Sequence, residues 1–356
     1  MSRYEVGKIT LRTALDDDLE LTRVTCPIGV LLIIFEARPE VIANITALAI
    51  KSGNAAILKG GKESTESFVA ISRVISEALS KTEVPNAAIQ LVKTRDAIDQ
   101  LLAIDEHVDL VIPRGSNELV KYVKSHTKIP VLGHADGLCA IYIHSDADKE
   151  TAKKVIMDAK CGYPAACNAV ETLLVHEAAL KSTLPVVAEA LLEKGVSLRC
   201  DEKSRLALTS SLTSPSAALL QTATEKDYNT EFLDLVLAIK TIPATGDSVS
   251  LAAAHINAHS SHHTDAILTS SSDAAEAFMA AVDSAGVYWN VSTRLADGMR
   301  YGFGSEVGIS TNKIHSRGPV GLEGLTIYKY LIRGKGQTPG DFGEGKRAWK
   351  HKTLPL

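Results

Sequence analysis

Residues 28–61 read IGVLLIIFEARPEVIANITALAIKSGNAAILKGG. The apolar run at 28–35 has the length of a buried strand. Apolar residues then recur at helical spacing from Pro39 to Lys51, and Gly53 ends the segment. A second short strand at 55–58 runs into Lys59-Gly60-Gly61. Strand, helix and strand in succession define a βαβ unit with parallel strands and a right-handed crossover.

The same alternation continues outward. It predicts a helix at 64–80, a strand at 89–92, a helix at 97–102, a strand at 108–112 and a helix to about Lys124, with strands at 130–132 and 140–143. A second α/β set follows, with helices at 149–159, 178–194 and 273–284, helical character from Ala252, and strands at 171–175, 232–242, 266–269 and 287–290. The fold class is therefore α/β, with two parallel-sheet domains. Residues 5–24 differ, reading as two short antiparallel strands around Leu15-Asp16-Asp17-Asp18. An exposed hairpin of that kind packs on something, and a partner subunit is a reasonable candidate. After residue 290 the chain reads as glycine-rich loop and polar tail.

Composition narrows the function. The 356 residues are 45% hydrophobic and 22% charged, with a formal net charge of −4. No Lys/Arg block lines one face, which argues against nucleic acid. No apolar run is long enough to span a bilayer, and no basic region precedes an apolar one at the start, so the expected location is the cytoplasm. Five cysteines without a C-x-x-C pair read as reduced thiols, not as a disulfide framework or zinc site.

The densest chemistry lies in Tyr163-Pro164-Ala165-Ala166-Cys167-Asn168-Ala169-Val170-Glu171-Thr172. A cysteine among small residues just before a strand is open to a substrate carbon, and a thiolate attacks carbonyls well. The Cys167 amide and the Asn168 side chain are candidate oxyanion donors. A buried structural cysteine is the alternative. A cysteine hydrolase would need a histidine base, and none lies near Cys167 in sequence.

Lys59-Gly60-Gly61-Lys62-Glu63-Ser64 joins a strand to a helix but fails as a P-loop, because Ala56 holds the first glycine position and Glu63 follows the lysine. Its lysines still suit a nucleotide phosphate or ribose. Arg114-Gly115-Ser116-Asn117 offers helix N-terminal amides to an anion. No G-x-G-x-x-G sits at a first βα turn, so any dinucleotide site departs from the standard fingerprint. His255, His259, His262 and His263 cluster in sequence without a recognised metal spacing, so no metal is expected. Asn290-Val291-Ser292-Thr293-Arg294 and Lys313-Ile314-His315-Ser316-Arg317-Gly318 are donor-rich loops, and arginine clamps carboxylate or phosphate through its planar fork.

Six segments together resemble one family: Ile34-Phe35-Glu36-Ala37-Arg38-Pro39, Ala56-Ile57-Leu58-Lys59-Gly60-Gly61-Lys62-Glu63, Ile112-Pro113-Arg114-Gly115-Ser116, Pro130-Val131-Leu132-Gly133-His134-Ala135-Asp136-Gly137, Cys167-Asn168-Ala169-Val170-Glu171-Thr172-Leu173-Leu174 and His315-Ser316-Arg317-Gly318-Pro319-Val320-Gly321-Leu322-Glu323-Gly324-Leu325. They look like the gamma-glutamyl phosphate reductases, or glutamate-5-semialdehyde dehydrogenases, of the aldehyde dehydrogenase superfamily. The likeness runs from about Leu15 to Tyr330.

The resemblance implies NADPH-dependent reduction of L-glutamate 5-phosphate to L-glutamate 5-semialdehyde, a step of proline biosynthesis, through a thioester on Cys167 and without a metal. It implies an oligomerisation hairpin at 1–25, a dinucleotide-binding domain at 26–147, a catalytic domain at 148–310, and a return segment with oligomerisation tail at 311–356. A homodimer or higher oligomer follows, with glutamate 5-kinase as pathway neighbour. Lys59 and Lys62 would meet the adenosine ribose or its 2′-phosphate. Arg114, Gly115 and Ser116 would lie by the diphosphate or nicotinamide end, and Glu231 by the nicotinamide ribose. Arg38 would meet the substrate phosphate. Asn290, Ser292, Thr293 and Arg294, with His315 and Arg317, would bind the substrate.

Hydrolytic relatives keep a glutamate base where this chain has Leu132-Gly133-His134-Ala135-Asp136-Gly137. Its absence fits a reductase that excludes water, although Asp136 weakens the point. Two departures stand out. Cys161-Gly162 replaces the family's Thr-Gln, and the helical region that family members carry ahead of the hairpin is missing. A shortened, non-catalytic subunit is therefore the alternative reading.

Overall fold

The computed structural model describes residues 6–36, 41–61, 65–92, 97–211 and 218–356. Its contacts divide the chain into two units. One comprises Met1–Gly133, Phe303–Gly308 and Val320–Leu356, and the other His134–Gly302 and Ile309–Pro319.

In the first unit, β1 (Ile9–Asp16) and β2 (Leu19–Pro27) form the expected hairpin. Asp18 takes the left-handed turn conformation at φ 56°, which a short polar side chain tolerates. Arg12 and Glu20 pair across the strands at 2.9 Å. The Thr326–Arg333 segment, which reads as polar tail in sequence, is a strand lying antiparallel along β2, and Lys352–Thr353 pairs with β1. Tyr328, Tyr330 and Ile332 on this added strand are exposed.

The α/β part of this unit runs β3 (Val30–Phe35), α1 (Val41–Lys51), β4 (Ala55–Lys59), α2 (Thr65–Leu79), β5 (Ile89–Val92), α3 (Ala97–Leu102), β6 (Leu110–Arg114) and α4 (Asn117–His126). The sheet order is β5-β4-β3-β6, all parallel. The position of β3 inside the sheet explains its unbroken apolar run. Leu31, Ile33 and Phe35 face Ile42, Ile45 and Phe68, while Leu32 and Ile34 face Leu102 and Val123. The register sets Ile34 beside Lys59 and Phe35 beside Arg114, so both cations stand at the carboxyl edge of the sheet.

The second unit runs β7 (Cys139–Ile143), α5 (Lys149–Cys161), β8 (Val170–His176), α6 (Leu184–Glu193), β9 (Ser197–Cys200), α7 (Glu202–Ser211), β10 (Leu220–Thr222), β11 (Val236–Ile242), α8 (Ser248–His259), β12 (Thr264–Leu268), α9 (Ser272–Ala281) and β13 (Gly286–Trp289). Its seven parallel strands are ordered β10-β9-β11-β8-β7-β12-β13. Alternation along β7 divides the core. Ile141 and Ile143 pack with α5, α6 and α7 on one face, and Ala140 and Tyr142 with α8 and α9 on the other. Because β7 pairs with β8 and β12, the chain passes into this unit at His134.

The strand expected at 130–132 is reduced to an isolated bridge of Val131 to Val111, and two expected elements begin well inside the stretch read for them. The helix expected at 178–194 begins as α6 at Leu184, with Pro185 in its first turn, where the missing N–H costs nothing. The strand expected at 232–242 begins only at Val236. Leu233 has φ 55° and donates its N–H to Glu171 Oε1 at 3.2 Å, geometry that takes it out of a sheet ladder. Among the described residues no helix is long and apolar enough to cross a membrane.

Ile141 is fully buried on β7. Ile141→Ala is expected to cost about 2–5 kcal/mol, read as a lower urea midpoint at unchanged slope. A loss under about 1 kcal/mol would contradict the packing described.

Candidate active site

Between the end of α5 and the start of β8 the chain folds into a tight turn. Ala166 N–H donates to Tyr163 O at 3.2 Å, and Ala169 N–H to Ala166 O at 2.8 Å. Cys167 sits in this turn, half-buried, ahead of the fully enclosed Ala169 and the first residue of β8, Val170. None of the five cysteines is disulfide-bonded. Burial pushes the thiols of Cys139 and Cys161 up, and that of Cys200 up to about 12.

The turn is pressed against the segment leading into β7. A Cβ on Gly137 would lie 2.1 Å from Cys167 O and 2.6 Å from its Cα. Only glycine permits that approach. Glu231 Oε1 accepts the Gly137 N–H at 2.9 Å, and burial pushes the Glu231 carboxyl above its ordinary value. Cys139 Sγ donates to Cys167 O at 3.4 Å.

Two histidines converge on the thiol. Ligand atoms of His134, Cys167 and His263 all lie within 4.8 Å of one another. His134 Nδ1 faces Ile309 O at 2.8 Å. A carbonyl only accepts, so Nδ1 carries the proton and Nε2 the lone pair. His263 is fully buried and its Nδ1 is 2.9 Å from Thr264 Oγ1. Loss of hydration, aided by His134, holds it down to about 3. His134 lies inside one of the motifs quoted above and His263 inside the histidine cluster, but only folding brings 134, 167 and 263 together. The other cluster members point elsewhere: His255 and His259 stack with ring centres 4.2 Å apart, and His262 Nδ1 meets Asp283 O at 2.5 Å.

The loop after β13 holds the turn from its other side. Thr293 Oγ1 donates to Asn168 O at 2.7 Å, Asn168 Nδ2 donates to Ala296 O at 2.9 Å, and Arg294 donates to Asn168 Oδ1. Thr293 has no exposed surface. It braces the thiol turn. Ser292 accepts the Arg294 N–H at 3.2 Å. The Asn290 amide is spent on the Thr269 backbone, at 3.0 Å to its N–H and 2.8 Å to its carbonyl. His315 is exposed, and Arg317 is paired with Asp283 Oδ1 at 2.9 Å. Below the turn, Lys160 and Glu171 form a wholly buried ion pair at 2.7 Å.

In the first unit the carboxyl edge of the sheet gathers Lys59, Arg114 and the loop Gly115-Ser116. Lys59 is buried and donates to Gly60 O at 2.8 Å. A Cβ on Gly61 would meet Glu36 O at 2.0 Å. Ser116 caps α4, and its N–H and hydroxyl donate to the Glu36 carboxylate at 2.6 and 2.9 Å. A protein anion thus already sits at this helix N-terminus, a partner that the sequence does not announce. Arg38 and Lys62 lie outside the described residues.

Two outcomes follow from this packing. Gly137→Ala is expected to cost about 1–3 kcal/mol, because backbone must move; an unchanged urea midpoint would count against the close approach. The unfolded chain protonates His263 below about pH 6.5, whereas the folded chain resists until about 3. Between those values the unfolded state binds more protons, so stability falls as pH falls, by at most about 1.4 kcal/mol per pH unit. Urea denaturation at two pH values in this window should show a smaller acid loss for His263→Gln than for the unaltered chain. Equal losses would contradict it.

Comparison with known proteins agrees with this geometry. The aldehyde dehydrogenase family profile matches residues 6–215. A Schizosaccharomyces pombe protein named "Probable gamma-glutamyl phosphate reductase" is 59% identical over 353 residues, covering 99% of this chain and 77% of that protein. The Saccharomyces cerevisiae gamma-glutamyl phosphate reductase is 51% identical, covering 99% and 79%. The crystal structure of a Thermotoga maritima gamma-glutamyl phosphate reductase superposes with a TM-score of 0.89 at 39% identity, covering 95% of this chain and 79% of that one. The chain belongs to the gamma-glutamyl phosphate reductases of the aldehyde dehydrogenase family.

Proposed function

We propose that this chain reduces L-glutamate 5-phosphate to L-glutamate 5-semialdehyde with NADPH, releasing phosphate, as a step of proline biosynthesis. The observation that carries the reading is the half-buried Cys167 thiol, held in a braced turn beside two histidines. His134 Nε2 is the basic nitrogen placed to take the thiol proton, since its Nδ1–H is directed to Ile309 O. The Cys167 thiolate attacks the acyl carbon, the carbon–oxygen bond to phosphate breaks, and a thioester remains. Bound NADPH supplies the hydride that takes the thioester to the thiohemiacetal level. Collapse of the thiohemiacetal releases the aldehyde and restores the sulfur.

The Cys167 amide and Asn168 Nδ2 are the donors assigned to the oxyanion. Arg294 on Oδ1 polarises that amide, and Ala296 O uses one of its two hydrogens. Arg294, next to the nucleophile turn, remains the candidate for a substrate carboxylate, with Arg38, His315 and Arg317 as further anion-binding groups. Ser292 and Asn290 act through the loop they shape.

The chemistry of the donor set at the carboxyl edge of the four-stranded sheet fits an anionic dinucleotide. Lys59 and Arg114 supply cations, and Lys62 follows in sequence. Lys59 and Lys62 are assigned to the adenosine ribose and its 2′-phosphate, Arg114, Gly115 and Ser116 to the diphosphate or nicotinamide end, and Glu231 to the nicotinamide ribose. A diphosphate on the Ser116 amide requires Glu36 to move away. Residues 26–147 are assigned to cofactor binding and 148–310 to catalysis. The hairpin and tail, with exposed Tyr328, Tyr330 and Ile332, are assigned to a homodimer or higher oligomer.

Two histidines beside a cysteine also suit a hydrolase. Calorimetry showing that neither nicotinamide dinucleotide binds would favour that reading. The reverse reaction is the direct assay: glutamate semialdehyde, NADP and phosphate should give a rise in reduced-nicotinamide absorbance. No rise from folded protein would point to a non-catalytic subunit. Cys167→Ser should lower turnover about a thousandfold or more with cofactor affinity retained; substantial residual turnover would remove the nucleophile assignment. Lys59→Ala with Lys62→Ala should weaken NADPH more than NADH, and equal losses would remove the basis for the 2′-phosphate contact.

A further inference from the structure

We propose that His134, Cys167 and His263 form a three-ligand site for a borderline-soft divalent cation such as Zn²⁺, which on binding masks the Cys167 sulfur. One thiolate and two imidazoles are the donor types that zinc selects, and three protein ligands leave a fourth position for water. The three donor atoms already lie within 4.8 Å of one another. Tetrahedral bonds of about 2.0–2.3 Å bring such donors to roughly 3.5 Å apart, so side-chain adjustments of about an ångström close the site.

Two further observations point to a ligand there. His263 Nε2 is buried and meets no hydrogen-bond partner, an uncommon condition for an interior polar atom. Both imidazoles have Nδ1 turned to an oxygen, Ile309 O for His134 and Thr264 Oγ1 for His263. For His134 the carbonyl fixes the tautomer with Nε2 as the lone-pair nitrogen, and the Thr264 hydroxyl allows His263 the same one, the outer-shell pattern that metal-bound histidines use. Binding breaks the Cys167 S–H bond, forms a metal–sulfur bond and releases one proton to solvent. No redox partner is needed, and a chelator reverses it.

This claim stands on the ligand geometry and is read without turnover. Co²⁺ is the probe under anaerobic conditions. The expected result is one Co²⁺ per chain with a sulfur-to-cobalt charge-transfer band and tetrahedral d–d bands. Cys167→Ser should abolish the charge-transfer band, and His263→Asn should weaken binding about tenfold or more. In the unaltered chain, Zn²⁺ should slow iodoacetamide labelling of Cys167 at least about tenfold, and a chelator should restore it. Absence of the band in the unaltered chain, its survival in Cys167→Ser, or Cys167 labelling unchanged by Zn²⁺ would each overturn the proposal. The labelling experiment uses only the native sequence, so a misfolded variant cannot decide the matter.

Discussion

Backbone-to-backbone contact at one glycine sets the geometry of the site. With no Cβ at 137, the segment leading into β7 lies directly against the Cys167 turn. That approach brings His134 from three residues upstream and Cys139 from two residues downstream to the same turn. The Glu231 carboxylate fastens the Gly137 N–H, and Thr293 holds the Asn168 carbonyl from the far side. The thiol is therefore positioned by backbone on one side and a donor loop on the other. Precision of this kind matters because an error of about an ångström in a reacting group can cost about a hundredfold in rate.

The electrostatics around the turn are built from groups buried in pairs or kept neutral. Lys160 and Glu171 neutralise each other beneath it, and Glu171 also accepts from Leu233, which positions the segment bearing Glu231. Breaking such a buried pair leaves a lone interior charge, at a cost of about 3–5 kcal/mol. His263 adds no positive charge near neutrality, because its interior position holds it down to about 3. Arg294 is a cation tied to the turn through Asn168 Oδ1. A thiolate formed by the proposed proton transfer to His134 thus faces that imidazolium, a neutral His263 and one polarised amide.

Much of this was legible in the sequence where one residue's neighbours in the chain decide its environment. The run at 28–35 announced an interior parallel strand, and small residues around Cys167 marked a tight turn just before a strand. The hairpin at 5–24 was visible as two short strands around Leu15-Asp16-Asp17-Asp18. The Thr326–Arg333 strand was not, because it lies largely exposed. The site was harder to read. Nothing in a linear pattern says that His134 and His263 meet Cys167 across three strands of a sheet. The sequence also does not announce that the polar side chains of Thr293 and Asn290 bond to backbone groups. Glu36 at the Ser116 amide is the same lesson in the first unit, where a local motif offered an anion site and a distant carboxylate had already filled it.

The central claim is that the acyl group passes through the sulfur at 167. It is tested most directly by mixing the chain with glutamate semialdehyde and NADP in the absence of phosphate, quenching in acid and mapping the peptides by mass spectrometry. The account predicts one glutamyl group as a thioester on Cys167, matched by one equivalent of reduced nicotinamide. Reduced nicotinamide with no acylated Cys167, or the acyl group on another cysteine, would contradict it.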